Sequence, residues 1–148
     1  MKVAAAAPAA WPWLVERTGC VLTSDFRAIQ ATDVNGKIRG MVGYCDWAPN
    51  SVRAHLAADS PIVWRSLLRP ALEYPFTQAG VGMILAAVRG SNARSLRFCG
   101  AVGLGVTCRV KDGFKAGEDW VLLQLRKEDC RFLLGSETHW APQERRVA

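Results

Sequence analysis

Residues 81–104, VGMILAAVRGSNARSLRFCGAVGL, decide the fold class. The segment begins with a short apolar run, residues 81–88, which lies between two glycines and is typical of a buried strand. Ser91 or Asn92 then supplies the side-chain oxygen of a helix cap, and the following helix ends at Gly103. These residues therefore predict a strand that leads directly into a helix.

A second strand and helix precede this segment. Residues 51–58 place Val52, Ala54 and Leu56 on one face of a strand, and Asp59-Ser60-Pro61 has the cap and the proline of a helix start. Two prolines, Pro70 and Pro75, must bend or shorten the helix that follows. A strand–helix–strand order requires a crossover, so we expect the two strands to be parallel neighbours or to splay apart.

Antiparallel hairpins flank this centre. Asn35-Gly36 joins strands at 25–34 and 37–47, and both residues tolerate the positive φ of a type I′ turn. A turn-rich loop at 111–119 joins strands at 106–110 and 120–125, and Leu14-Val15 is expected to begin a short edge strand. The predicted fold class is α/β (α+β), with a mixed, mostly antiparallel central sheet, a β-α-β-α core and flanking helices.

Length and composition fit one globular domain. The chain has 148 residues, of which 50% are hydrophobic and 22% charged. We expect a disordered tail at 1–12, a single domain at 13–134 and a loose tail at 135–148. The longest apolar run is far shorter than the roughly 20 residues of a membrane helix, so no membrane partner is expected.

Charge and cysteine content narrow the partners and the compartment. A net charge of +6 favours an anionic partner, either a nucleic acid or a cofactor that carries phosphates. The five cysteines are odd in number, none forms a C-x-x-C pair, and two histidines are too few to complete a zinc site. We therefore expect free thiols, a cytoplasmic location and no bound metal.

The order of elements resembles the GNAT superfamily from residue 25 to residue 131. The similar features are the 81–88 strand, the N-x-x-[AS]-x-x-[YF] pattern from Asn92 to Phe98, Gly103-Leu104, and the two strands around a glycine-containing turn. The resemblance implies an N-acyltransferase that uses acetyl-CoA or another acyl-CoA. It would move an acetyl or other short acyl group directly to a primary amine, on a small molecule or a macromolecule.

Two departures from the family pattern affect the expected cofactor site. The Q/R-x-x-G-x-G/A pyrophosphate loop is missing at 57–61, so backbone N–H groups at the helix start would have to replace it. Phe98 stands where the family often has a tyrosine general acid. Pantetheine would meet the edges of the splayed strands, and arginines would receive the phosphates. The predicted cofactor-binding residues are Leu56, Ala57, Ala58, Ser60, Arg65, Arg89, Asn92, Arg94, Ser95 and Phe98.

Three residues are candidates for catalysis, each with a structural alternative. His55, at the end of the strand before the predicted cofactor turn, is a general base or a hydrogen-bonded strand histidine. Asp46 is a base, a ligand for a cationic acceptor, or a carboxylate at a strand end. Tyr44 protonates the departing thiolate or packs in the core. Cys45 is a packing cysteine or, with a neighbouring base, a nucleophile, and packing is favoured because direct transfer needs no nucleophile.

Two other functions stay open. A GNAT-like protein of the phage DNA-modification type would modify or bind nucleic acid, which the basic charge permits. A non-catalytic GNAT-like module would bind a ligand or a partner, which the missing loop and tyrosine favour. The chain is expected to be a monomer or a homodimer.

Overall fold

The computed structural model describes residues 1–133. They form seven strands, three helices and short 3₁₀ or π turns between them. The elements are β1 (Lys2–Ala5), α1 (Pro12–Thr18), β2 (Arg27–Thr32), β3 (Ile38–Ala48), β4 (Ser51–Ala58), α2 (Trp64–Glu73), β5 (Met83–Arg89), α3 (Ala93–Val102), β6 (Gly105–Lys115) and β7 (Glu118–Arg126).

One sheet contains all seven strands in the order β1-β2-β3-β4-β5-β7-β6. The β4–β5 pair is parallel, and every other neighbouring pair is antiparallel. The predicted mixed sheet is confirmed, and α2 provides the crossover that parallel neighbours require. None of the three helices is long and apolar enough to span a membrane within residues 1–133.

The N-terminal residues are ordered, which corrects the tail predicted for residues 1–12. β1 pairs with β2 from Lys2 opposite Thr32 to Ala5 opposite Ile29. Trp11 then donates its indole N–H to the carbonyl of Ala6 at 3.0 Å. The side chains of an alanine-rich segment give little indication of its secondary structure. The edge of β2, however, supplies hydrogen-bond partners for its backbone N–H and C=O groups. Residues 2–11 therefore pack as part of the same sheet and core. The loose tail predicted for 135–148 lies outside the described residues.

Helix α1 replaces the edge strand that Leu14-Val15 predicts. Leu14 is fully buried on the inner side of this helix, and it packs with Phe26 directly over Gly43 of β3. A Cβ atom at position 43 would lie 2.4 Å from Phe26 and 2.7 Å from Leu14. Because only a glycine permits this approach, the helix lies close against the sheet.

Helices pack on both faces of the sheet. Helices α2 and α3 cover one face, which we call the helical face, and bury Val42, Val52, Ile84 and Val121 there. Helix α1 covers part of the opposite face, the α1 face, where it contacts β3 and β4. On the α1 face β5 carries the exposed Leu85 (37% exposed). The α1 face thus continues past α1 as a partly open surface.

Both predicted hairpins form, with different turns from those expected. In the first, only Gly36 has a positive φ, and the carboxylate of Asp33 accepts the N–H groups of Asn35 and Lys37 at 2.9 and 3.0 Å. The turn is therefore not type I′, which needs two residues with positive φ. In the second, β6 and β7 extend through most of the predicted 111–119 loop and leave a tight turn at Gly117.

Candidate functional site

Strands β4 and β5 separate halfway along their length. They pair only at Ser51 with Met83, Val52 with Ile84 and Arg53 with Leu85. Beyond this point β4 continues beside β3, and β5 continues beside β7, without pairing to each other. The predicted splay is therefore present. We call the space between residues 54–58 and 86–89 the β4–β5 opening.

Backbone groups of both strands point into this opening. The N–H of Asp59 donates to the carbonyl of Arg39 at 2.8 Å, which fixes the hydrogen-bonding phase of the β3–β4 ladder. Because successive residues alternate in an antiparallel ladder, Leu56 and Ala58 direct their backbone groups away from β3, toward the opening. The same reasoning applies to Ala87 of β5, because the N–H of Gly90 donates to the carbonyl of Asp119 in β7. An extended ligand with amide groups has partners on both sides.

An aromatic pair lies on the helical side of the opening. Trp64, at the start of α2, contacts Phe98 of α3 with ring centroids 4.7 Å apart. Phe98 also lines a narrow apolar cavity together with Leu56 and Ala86. The pair joins α2 to α3, so a ligand that passes between these helices would have to move one of the two rings.

The turn that leads into α2 has few free backbone donors. Pro61 has no N–H, the N–H of Val63 donates to the carbonyl of Ser60, and the N–H of Trp64 donates to Pro61 and Ile62. The 3₁₀ turn thus pairs backbone N–H groups that we expected to be free for a pyrophosphate. This pairing corrects that part of the cofactor prediction for residues 57–62. Ser60 makes no side-chain cap.

Asp59 does not place its charge beside this turn. Its carboxylate lies 3.1 Å from the Nε of Arg39 and 3.7 Å from the Nε of Arg17 on α1. Both guanidinium groups compensate its negative charge and hold it away from the start of α2. Asp59 precedes the helix start in the sequence, but its compensated charge does little to oppose an anionic ligand there.

The predicted phosphate-binding arginines differ in their availability. Arg65 and Arg94 are exposed and have no acidic partner among residues 1–133. Arg89 instead lies 3.8 Å from Glu118 and stacks over Phe114 at 5.0 Å, so its charge is already engaged. Within residues 1–133, Arg65 and Arg94 are therefore available to an anionic ligand, and Arg89 is already paired.

Asn92 is the N-cap of α3, as one of its two predicted roles requires. Its Oδ1 atom accepts the N–H of Ser95 at 3.1 Å. This bond leaves the side-chain NH₂ of Asn92 for another partner. Contact of Asn92 or Ser95 with pantetheine stays a prediction.

His55 lies on the α1 face, beside the start of the opening, in a cluster with Cys45 and Asp46. Its Nε2 atom is 3.3 Å from the Sγ atom of Cys45, and that sulfur is 3.8 Å from Oδ2 of Asp46. Arg53 follows at 4.0 Å from Asp46. Two of the three predicted catalytic residues, His55 and Asp46, are thus brought together through a cysteine.

Burial sets the protonation states within this cluster. Desolvation and the charge of Arg53 lower the pKa of His55 to about 4, against the opposing effect of Asp46. Desolvation, together with Asp46, raises the pKa of Cys45 to about 12, although Arg53 opposes this shift. At neutral pH the imidazole is therefore uncharged and has a free lone pair, and the thiol keeps its proton.

A bulge at Asp46 shapes the cluster. Asp46 has φ of 54°, and the β3–β4 register shifts between Cys45 and Ala48. Asp25 holds the bulge, because its carboxylate accepts the N–H groups of Asp46 and Trp47 at 3.3 and 3.0 Å. Burial opposes ionisation of Asp25, but these bonds and one from Thr23 outweigh it and keep the pKa of Asp25 below its usual value.

Tyr44 lies apart from this cluster, which corrects its prediction as a proton donor. It is fully buried on the helical face, and its hydroxyl donates to the carbonyl of Ala71 in α2 at 2.6 Å. Burial raises the pKa of this hydroxyl well above its usual value. Its ring packs edge-on against Tyr74 with centroids 5.1 Å apart. The structure gives Tyr44 a role in packing.

The sequence interpretation missed Arg53, Asp25 and the part that Cys45 plays. The sequence favours packing for Cys45, because its contact with His55 depends on the strand register, which the bulge alters. Trp47, next to the bulge, buries its indole N–H without a hydrogen-bond partner among residues 1–133. Across the same residues, no three His, Cys, Asp or Glu side chains are grouped to hold a metal ion.

Comparisons with known proteins address the fold. No protein-family model matches the sequence, and no curated protein matches it. Solved structures do match, among them a point mutant of the spermidine N-acetyltransferase SpeG from Vibrio cholerae (TM-score 0.73, 14% identity, 92% of this chain and 98% of that chain). A chimera of this enzyme with hSSAT gives a TM-score of 0.71 at 13% identity, over 86% of this chain and 98% of that chain.

A third match is the spermidine/spermine N-acetyltransferase SpeG from Vibrio cholerae in complex with manganese ions. It has a TM-score of 0.69 at 13% identity and covers 84% of this chain and 91% of that chain. At such identities the likeness concerns the fold and leaves the acceptor undetermined. The resemblance seen in the sequence is confirmed at this level, and the chain has the fold of the GNAT superfamily of N-acetyltransferases.

Proposed function

We propose that this protein is an acyl-CoA-dependent N-acyltransferase that moves an acetyl or other short acyl group to a primary amine. The observation that carries the proposal is the β4–β5 opening, because His55 lies two residues beyond Arg53, which forms the last pair with Leu85. The GNAT fold of the matching N-acetyltransferases supports the same reaction class.

Residues on both sides of the opening fit the parts of an acyl-CoA. The backbones of Leu56, Ala58 and Ala87 can bond the pantetheine amides, as strand edges do. Arg65 and Arg94 can pair with the phosphates, and they replace in part the donors that the 57–62 turn lacks. Acyl-CoA would supply the acyl group as an activated thioester.

His55 is the base that we assign to this site. Its lowered pKa leaves the imidazole neutral at physiological pH, so a lone pair is present for proton transfer. Such a weak base is sufficient for an amine that has already lost its ammonium proton to water, because the amine nitrogen becomes strongly acidic as it bonds to the acyl carbon. Since Tyr44 is buried on the other face, the proton that His55 receives is the one available for the departing thiolate.

The acceptor would approach over the α1 face, where β5 is not covered by α1. Asp46 is exposed at this side of the cluster and offers a carboxylate to a cationic amine. Arg53 lies beside it and opposes the binding of acceptors with several positive charges. Spermidine, the acceptor in the names of the matching structures, is therefore the first probe but not the assigned substrate.

The decisive experiment combines ligand binding with turnover. Saturating acetyl-CoA should raise the melting temperature by mass action, and CoA release with spermidine and other amines should report transfer. His55→Gln should lose turnover and keep acetyl-CoA binding. A paired change of Arg65 and Arg94 to Gln should weaken acetyl-CoA binding, while Arg109→Gln, whose charge is paired with Asp119, should not. The absence of any acetyl-CoA binding would contradict the proposal.

Nucleic acid is the second candidate. Arg65 and Arg94, which are exposed and have no acidic partner within residues 1–133, favour it together with the net charge of +6. Binding to a duplex should then weaken steeply as salt increases, because phosphate contacts release counterions. If a duplex amine is the acceptor, both functions hold.

Acetyl-CoA binding without transfer to any acceptor would identify a non-catalytic module. All five cysteines are free, which agrees with the proposed cytoplasmic location.

A further inference from the structure

The contacts of Cys45 decide where the proton of its thiol lies. The sulfur contacts two groups, Nε2 of His55 at 3.3 Å and Oδ2 of Asp46 at 3.8 Å. Cys45 is only 3% exposed, so water does not reach its sulfur, whereas the side chain of Asp46 is 58% exposed. The thiol has one hydrogen and can donate it to one of its two neighbours.

An ionised carboxylate can accept a hydrogen bond but cannot donate one. If the thiol donated to His55, its sulfur lone pairs would face the oxygen lone pairs of Asp46 without a hydrogen between them. If the thiol donates to Asp46, both contacts become hydrogen bonds, because Nε2 of the imidazole can carry a hydrogen and donate it to sulfur. The second arrangement satisfies every group in the chain of contacts.

We propose that Cys45 and Asp46 are positioning residues that hold His55 with its hydrogen on Nε2. The order of donation is His55 Nε2–H to Cys45 Sγ, then Cys45 S–H to Asp46 Oδ2. Nδ1 of His55 therefore keeps its lone pair and is the atom that accepts a proton. The use of Nδ1 as the catalytic base rests on the proposed function, but the tautomer does not.

The arrangement also stabilises His55 after it gains a proton. A hydrogen on Nδ1 makes the ring cationic and its Nε2–H a stronger donor to sulfur. The thiol passes this polarisation to the carboxylate of Asp46, so the negative charge acts on the ring through one side chain. Cys45 serves as a bridge in this scheme, and its sulfur forms no bond to the acyl group.

Nitrogen NMR of the imidazole tests the tautomer without any substrate. The chain has two histidines, so a His139→Gln background leaves only the ring signals of His55. We expect the hydrogen on Nε2 near neutral pH. Cys45→Ala should remove this preference and give a mixture of tautomers, whereas Cys45→Ser, whose hydroxyl can accept and donate, should restore it. Cys130→Ala removes another buried thiol and should change nothing.

A hydrogen on Nδ1 in the unchanged chain would overturn the proposal, as would an unaltered tautomer in folded Cys45→Ala. With acetyl-CoA and an amine that the chain acetylates, kcat of Cys45→Ala should fall roughly tenfold to a hundredfold at similar KM. The variant misplaces the base without removing it, so it loses only part of the roughly 10²–10⁴-fold that a general base contributes. If no amine is acetylated, the proposed function fails while the NMR result still decides the tautomer.

Discussion

Replacing Tyr44 by Phe tests whether the Tyr44 hydroxyl serves packing or catalysis. The Tyr44 hydroxyl donates to the carbonyl of Ala71 in a fully buried site. In an α-helix this carbonyl would accept the N–H of the residue four places later, which here is Pro75 and has none. The phenol therefore substitutes for a missing helical donor, so Tyr44→Phe leaves a buried carbonyl without its partner.

The expected loss of stability follows from this single contact. Leaving a buried carbonyl unsatisfied costs about 1–3 kcal/mol, and Phe preserves the shape of the ring, so no large cavity forms. For a chain of this size the melting temperature should fall by roughly 2–4 °C per kcal/mol. Urea unfolding followed by tryptophan fluorescence measures the change, and an unchanged m-value confirms that both states stay comparable.

A second substitution checks the cause. Pro75→Ala restores an N–H that can reach the carbonyl of Ala71, so Tyr44→Phe should cost less in that background, with a coupling of about 1 kcal/mol. Tyr44→Phe should also keep the acyl transfer that we propose. A Tyr44→Phe variant as stable as the unchanged chain would refute this role of the hydroxyl, and a folded variant without turnover would show that Tyr44 takes part in catalysis.

Two further predictions concern the His55 cluster. Asp25→Ala should lower the free energy of unfolding by about 1.5–3 kcal/mol, the range for hydrogen bonds to a charged group. It should also shift the His55 ring signals, because the bulge loses the carboxylate that accepts its two N–H groups. Asp33→Ala, which removes a similar carboxylate from the other hairpin, should leave those signals unchanged. Because folding lowers the pKa of His55 from 6.5 to about 4, its contribution to stability is complete above about pH 6.5 and is lost as pH falls toward 4. Unfolding measured against pH should show this loss in the unchanged chain and not in His55→Gln.

Local sequence signals were sufficient for the central fold. The cap at Asn92, the proline at the start of the 3₁₀ turn before α2 and the apolar 81–88 run each depend on neighbouring residues, and each is present. A crossover between two strands follows from their order alone, so the parallel pair could be predicted. The splay was an expectation from the same order.

The candidate site depended on a register that the sequence does not reveal. Without a bulge, the pairing of Ala48 with Ser51 would continue and place Tyr44 opposite His55 on the same face. The extra residue at Asp46 instead places Gly43 opposite His55, so His55 shares its face with Cys45. The bulge is held by Asp25, 21 residues away in the chain, and no local pattern indicates that contact.

The first strand has a practical consequence for handling the protein. Its alanines suggest a dispensable leader, yet removing them would leave the backbone amides and carbonyls of residues 29–32 without their neighbours. An unpaired strand edge of this kind can pair with the same strand of another molecule. Shortened forms that begin at residue 12 would therefore tend to associate, and affinity tags are better placed at the opposite terminus.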